Sequence, residues 1–175
     1  ITAEWWKIAN AWGGSTKGEI VKALNTALAG ERYSSEAFQH YADKSADAET
    51  KVLLQEIIAN KKQHIQMLEE RLNALGEKPS IPAQAADTYA KLKTALQGSD
   101  EIAMLRRALG DMQTAVVDTY QLRNQLTDPV TTEIFSEIEV DQSIYEQHLA
   151  QLYRARLGAE IAKPAKPSTA PAVGV

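Results

Sequence analysis

Four stretches of the chain repeat large apolar side chains at intervals of three and four, and the spacing between those stretches constrains the fold more than the stretches themselves. Thr16-x-x-Glu19 has the form of a capping box and opens the first, which runs to about Lys44 with Ile20, Leu24, Leu28, Phe38 and Tyr41 on one face. Asp47 can cap the second, which carries Leu54, Ile57, Ile58, Ile65, Leu68, Leu72 and Leu75 until Gly76 and Pro79 end it. Ser99 or Asp100 starts the third, with Ile102, Leu105, Leu109, Met112, Val116, Thr119 or Tyr120, and Leu126 inward. Asp128 is a cap followed by proline at the first position of the fourth, whose inner line is Ile134, Phe135, Ile138, Tyr145, Leu149 and Leu152. Only a few residues join the first stretch to the second and the third to the fourth, so each pair is an antiparallel hairpin. The second helix would span about 40 Å. Residues 76 to 99, with Pro79, Pro82 and Gly98 around a short amphipathic piece from Ala85 to Leu96, are long enough to retrace it. The third helix then starts at the same end as the second. No stretch alternates like a strand, so the fold class expected is all-α, two hairpins with one long crossover.

Composition removes several function classes. A chain of 175 residues, 44% hydrophobic and 24% charged, suits a single domain with a real core. Its net charge of −4 comes without a basic block, which argues against nucleic acid as a partner. No apolar run could span a bilayer, and no cleavable signal is visible. With no cysteine there are no disulfides, thiolate metal sites, iron-sulfur clusters or cysteine nucleophiles, which is compatible with a cytoplasmic location. The chain opens at Ile1 rather than methionine, so a segment of a longer protein is expected.

Polar residues stand where a bundle would place leucine. Glu31 interrupts the stripe of the first helix, and Lys61 and His64 interrupt that of the second. Such groups carry a desolvation cost unless they are paired or engaged in chemistry. Around them, Leu24-Asn25-x-x-Leu28-Ala29-x-Glu31 resembles the first-helix signature of bacterioferritin and related ferritin-like domains. His64 followed by Met67 to Gly76 and Pro79 is similar to the second helix of that family, and Met104 to Arg106 and Asp128 to Glu137 to parts of the third and fourth. The likeness covers roughly residues 17 to 155 and implies a ferritin-like four-helix bundle.

In that family two helices each supply a Glu and two supply a Glu-x-x-His pair to a pair of metal ions. Carried over position by position, the resemblance puts Glu31 and His64 at ligand positions but Lys61 where a bridging Glu stands. Gln142 and Tyr145 occupy the place of the second Glu-x-x-His, and the third-helix Glu falls at Met112 or Ala115. A protonated lysine has no lone pair and repels a cation. The expectation is therefore a vestigial metal site at Glu31 and His64. There the Lys61 ammonium replaces the metal charge, pairs with Glu31, and forms a buried polar cluster of Glu31, Lys61, His64, Gln142 and Tyr145.

Two functions follow. The first is a domain that has lost most di-iron ligands, has no catalytic residues, no cofactor-binding residues and no expected cofactor, and serves as a structural, regulatory or oligomerising module. The alternative is a metal-dependent oxidase or peroxide-handling enzyme with iron or another divalent metal on Glu31 and His64 alone. Asp141, His148 and Glu137 could hold a metal on the fourth helix, but a solvated helix edge explains them more simply. The organisation expected is a Trp-rich amphipathic segment over 1–14 that forms a short helix, a bundle over 15–160, and a Pro/Ala-rich disordered tail over 161–175. Trp5, Ile8 and Trp12 share a face suited to packing on the bundle, on an attached domain or in a homodimer, and with Lys7 the lone cation the segment is a poor membrane anchor. Ferritin-like segments of this kind are similar to ones fused behind DJ-1/PfpI-type domains.

Overall fold

The computed structural model describes residues 14–80, 98 and 100–164, and four long helices account for most of them. They are α1 (Lys17–Lys44), α2 (Ala48–Ala74), α3 (Glu101–Asn124) and α4 (Pro129–Ile161). Each begins at the residue type that satisfies orphan N–H groups. Thr16 and Glu19 complete the capping box of α1, and Asp47, Asp100 and Asp128 accept from Thr50, Ala103 and Thr131 at the starts of α2, α3 and α4. Gly76, with φ of 74°, ends α2 in a left-handed turn in which Glu77 N–H bonds to the Leu72 carbonyl and Gly76 N–H to that of Asn73. The third helix starts from Asp100 rather than Ser99.

Contacts between helix ends fix the topology. The Ser45 hydroxyl and Ala46 N–H, in the turn between α1 and α2, donate to Glu101 at the start of α3. Ser15 before α1 bonds to Thr127 before α4, at the opposite end. Arg156 late in α4 pairs with Asp47 and Glu49, and Arg71 late in α2 pairs with Asp128. Hence α3 runs parallel to α2, α4 runs antiparallel to it, and the end of α2 and the start of α3 lie at opposite ends of the bundle. That is the ferritin-like arrangement of two hairpins with one long crossover. The Trp-rich segment up to residue 13, the crossover piece from 85 to 96 and the tail from 165 onward lie outside the described residues. No described helix is long and apolar enough to cross a membrane.

The apolar interior comes in two parts. One gathers Phe38, Tyr41, Leu54, Ile57, Leu105, Met112 and Leu149 towards the α1–α2 turn. The other gathers Ile20, Leu24, Leu28, Leu68, Leu72, Phe135 and Ile138 towards the opposite end. Between them, α1, α2 and α4 turn inward Glu31, Lys61 with His64, and Gln142, all buried. On α3 the inward line differs from the simple reading of its pattern. Met104, Leu105, Ala108, Met112 and Thr119 are buried while Tyr120 is 49% exposed, because the helix turns about 100° between consecutive residues and Thr119 takes the inward place.

Candidate functional site

Helical spacing brings the polar layer together. Glu31 follows Leu28 by three on the buried face of α1, Lys61 and His64 continue the line of Ile57 and Ile58 on α2, and Gln142 follows Ile138 by four on α4. Glu31 is the hub. Lys61 Nζ lies 3.3 Å from its Oε1 and 3.5 Å from its Oε2. His64 Nδ1 lies 3.0 Å from Oε2, and Gln142 Nε2 donates to Oε1 at 2.7 Å. Lys61 is 1% exposed and Glu31 4%, so these charges meet out of water. The Lys61 ammonium also lies 5.7 Å from the centre of the Phe38 ring, whose π face favours a cation.

The electrostatics follow from these contacts. Burial pushes the Glu31 carboxyl up, but the Lys61 charge, the bond and charge of His64 and the Gln142 amide outweigh it and hold the group below its ordinary value of 4.5. The other nitrogen of His64, Nε2, lies 3.0 Å from Asp141 Oδ2. With a carboxylate at each nitrogen, an imidazolium can donate to both, whereas a neutral ring donates to one only. Asn60 Nδ2 adds a 2.8 Å bond to the same Asp141 oxygen. On the far side of Lys61, Tyr41 donates to Asp111, whose carboxyl is raised by burial despite the opposing effects of Tyr41, Arg107 and Lys61. The Tyr41 hydroxyl is raised in turn, by burial first and then by its bond to Asp111.

Tyr145 does not join Glu31 and His64. It is half-buried, packs on the apolar cluster near the α1–α2 turn and meets His148 edge to face, with ring centres 6.1 Å apart. Its position about 60° round α4 from Gln142 turns it towards α2. Burial raises its hydroxyl, with Glu56 and Asp141 adding to the effect. Asp141 moves the other way, from an expected solvated edge into the hydrogen-bond network, while His148 and Glu137 stay exposed. The signal that could have found it is the spacing Asn60-x-x-x-His64, which sets two donors on one face of α2 and calls for an acceptor opposite. Met112 belongs to the apolar core, and Ala115 lines a cavity between α1 and α3, so neither inward position on α3 brings a carboxylate.

The residues present do not fit a di-metal centre. Both oxygens of Glu31 already accept from Lys61, with His64 and Gln142 taking one each, which leaves no lone pair directed at a cation. A fixed ammonium within hydrogen-bond distance of Glu31 would repel a divalent ion. Among the described residues no group of three or more His, Cys, Asp or Glu side chains is placed to hold a metal.

Comparison with known proteins agrees with the architecture. Residues 19–122 match the family described as Domain of unknown function (DUF2383). In structure the chain is similar to a two-domain protein of Anabaena variabilis containing DJ-1/ThiJ/PfpI-like and ferritin-like domains, with 49% identity and a TM-score of 0.78. The match covers 96% of this chain and 45% of that one, so this chain spans less than half of that relative. It is also similar to a dodecameric thioferritin, the bacterioferritin-related protein of Bacteroides fragilis, at 18% identity and a TM-score of 0.68, covering 87% of this chain and 95% of that one. A ferritin-like, diiron-carboxylate protein of Bacillus anthracis aligns at 21% identity and a TM-score of 0.62, over 78% of this chain and 96% of that one. These last two likenesses speak to fold alone. No curated protein matches the chain.

Proposed function

The chain belongs to the family described as Domain of unknown function (DUF2383), and from that premise we propose that this ferritin-like domain has exchanged its metal centre for a protein cation. It acts as a structural, regulatory or oligomerising module in the cytoplasm, without a cofactor and without oxidase activity of its own. The observation that carries this reading is the Lys61 ammonium, 1% exposed, held against both oxygens of the buried Glu31. The ammonium supplies the positive charge that buried carboxylates require, so the bundle closes without an ion. The Anabaena relative, which contains a DJ-1/ThiJ/PfpI-like domain as well as a ferritin-like one, supports a role beside an attached domain.

Titration of the purified chain with Fe(II), Mn(II) and Zn(II), read by calorimetry and metal content, tests the proposal. Wild type and Glu31→Gln are expected to take up the same small amount of metal. Lys61→Glu, which removes the cation and adds a carboxylate, is expected to gain a site whose occupancy raises Tm. Wild-type protein holding one or two ions per chain that Glu31→Gln loses would refute it.

A further inference from the structure

The outer side of the α3/α4 hairpin carries apolar side chains that the bundle core does not use. Of the six large apolar residues exposed among the described residues, Val117, Tyr120, Val140 and Ile144 fall near the middle of this hairpin. Three rungs fix its register: Arg106 Nε donates to the Tyr153 hydroxyl at 3.0 Å, Gln113 Nε2 donates to Glu146 at 3.1 Å, and Arg123 pairs with Glu139 at 2.9 Å. They set Val117 level with Ile144 and Tyr120 level with Val140. The Arg123 guanidinium lies 5.4 Å from the centre of the Tyr120 ring, which holds that ring in place at the surface. An ordered, half-exposed tyrosine beside aliphatic neighbours is what the centre of an interface calls for.

The distribution of charge says what covers it. With about 100° of turn per residue, Glu133, Val140, Ile144, Gln147, Gln151 and Arg154 share one strip of α4, and all six are exposed. The strip is acidic at its start, apolar at its middle, uncharged beyond that and basic at its end. Arg154 stands about 15 Å past Ile144 along the helix, and Glu133 about 15 Å before it. Neither has an ion-pair partner among the described residues. Turned through 180° about an axis between Val140 and Ile144, such a strip complements itself, apolar middle on apolar middle and each Arg154 beside the partner's Glu133. An unrelated protein would call for no such balance of signs about the centre. The area suffices too: α3 alone spans 24 residues, and two adjacent helices of that length present about 700 Å² per copy, or about 1,400 Å² for two, above the roughly 1,000 Å² of a specific interface. The chain's own remaining segments start elsewhere. Gly14 lies between α1 and the end of α3, and the crossover leaves from Ser80, whose N–H bonds to Asn25 on α1.

We infer that the outer strip of α4, flanked by Val117 and Tyr120 of α3, docks a second copy of this chain as a two-fold dimer with the two α4 helices antiparallel. The inference names the surface and the partner for the oligomerising role proposed above and rests on that part of the reading alone. The exchange of metal for lysine is independent of it, so metal content and mass in solution fail separately.

Sedimentation equilibrium of the full chain at micromolar concentrations, beside circular dichroism, is the test. Wild type is expected to be a dimer. Val117→Glu and Ile144→Glu change exposed positions to a good helix former, so each should give a monomer whose helical signal is intact. Arg154→Glu should weaken the dimer about tenfold, because the two-fold axis makes two like-charge meetings of one substitution. Arg154→Glu combined with Glu133→Arg exchanges the signs on both copies and should recover the dimer. Val52→Glu, exposed on α2 away from the strip, should leave the mass unchanged. A chain that is monomeric throughout, its face left to an attached domain or to its own remaining segments, would overturn the inference. So would an assembly that survives both apolar substitutions, one that Val52→Glu dissociates, or a charge exchange that recovers nothing.

Discussion

Arg71 with Asp128 at one end of the bundle and Lys61 with Glu31 at its middle are both buried ion pairs, yet only the first is explained by the helices it joins. Asp128 caps α4: its Oδ2 accepts the Thr131 N–H at 3.0 Å and the Thr131 hydroxyl, and Arg71 reaches it at 2.8 Å from the last turn of α2. An acid at a helix start and a base at a helix end complement the partial charges already there. Glu31 and Lys61 lie mid-helix, where the backbone bonds are complete and no partial charge waits to be matched. Neither helix needs them, so their charges answer to one another. Of the two pairs, one belongs to the scaffold and the other occupies a place that a leucine could fill.

Removal of one mid-bundle partner is the strongest way to break that contrast. Lys61→Met or Glu31→Met alone strands a buried charge and is expected to cost about 3–5 kcal/mol in urea unfolding. The double variant should cost less than either single change, because neither charge is left behind. Additive losses would mean the pair is not coupled. At the bundle end, Asp128→Ala should lose about 2 kcal/mol through the cap on top of stranding Arg71, and Arg71→Met added to it should recover only the second part, since the Thr131 N–H stays unsatisfied. Full recovery would put Asp128 in the same class as Glu31.

A smaller effect sharpens the comparison with an exposed pair. Hydrogen bonds from Arg156, and then from the Thr50 hydroxyl and N–H, hold the Asp47 carboxyl at about 2 against an ordinary 3.8. A depressed acid contributes stability that is fully present above pH 3.8 and is lost as the pH falls towards 2. Because the pair is part-exposed and screened, the contribution is at most about 1 kcal/mol. Arg156→Gln should therefore lower Tm at pH 5 by a few degrees, about 2–4 °C, and narrow its difference from wild type at pH 2.5. An unchanged gap at the two pH values would assign the shift to Thr50 alone.

Helix positions were legible in the sequence because each signal is local. Thr16 with Glu19, Asp47, Asp100 and Asp128 mark starts, Gly76 marks an end, and the unequal connections settle which helices run parallel. Glu31, Lys61 and His64 could likewise be read as inward, since a residue's angle on its own helix follows from the apolar line around it, and Gln142 was placed there by the family resemblance. Tyr145 misled for a related reason. The family register suggests a ligand at that position, whereas the angle of Tyr145 on α4 sets its ring against apolar neighbours and His148.

Periodicity, capping and the unequal connections thus determined four helices, their order and direction, and the inward places of Glu31, Lys61 and His64, because those features are local, while Gln142 entered through the family resemblance. Tertiary structure alone decided that Asp141 joins His64, that Asp111 takes the Tyr41 hydroxyl, and that a cavity remains between α1 and α3. Partner choice and empty space depend on the separation of helix axes and on how far each side chain reaches across it, and both are set only when all four helices pack together.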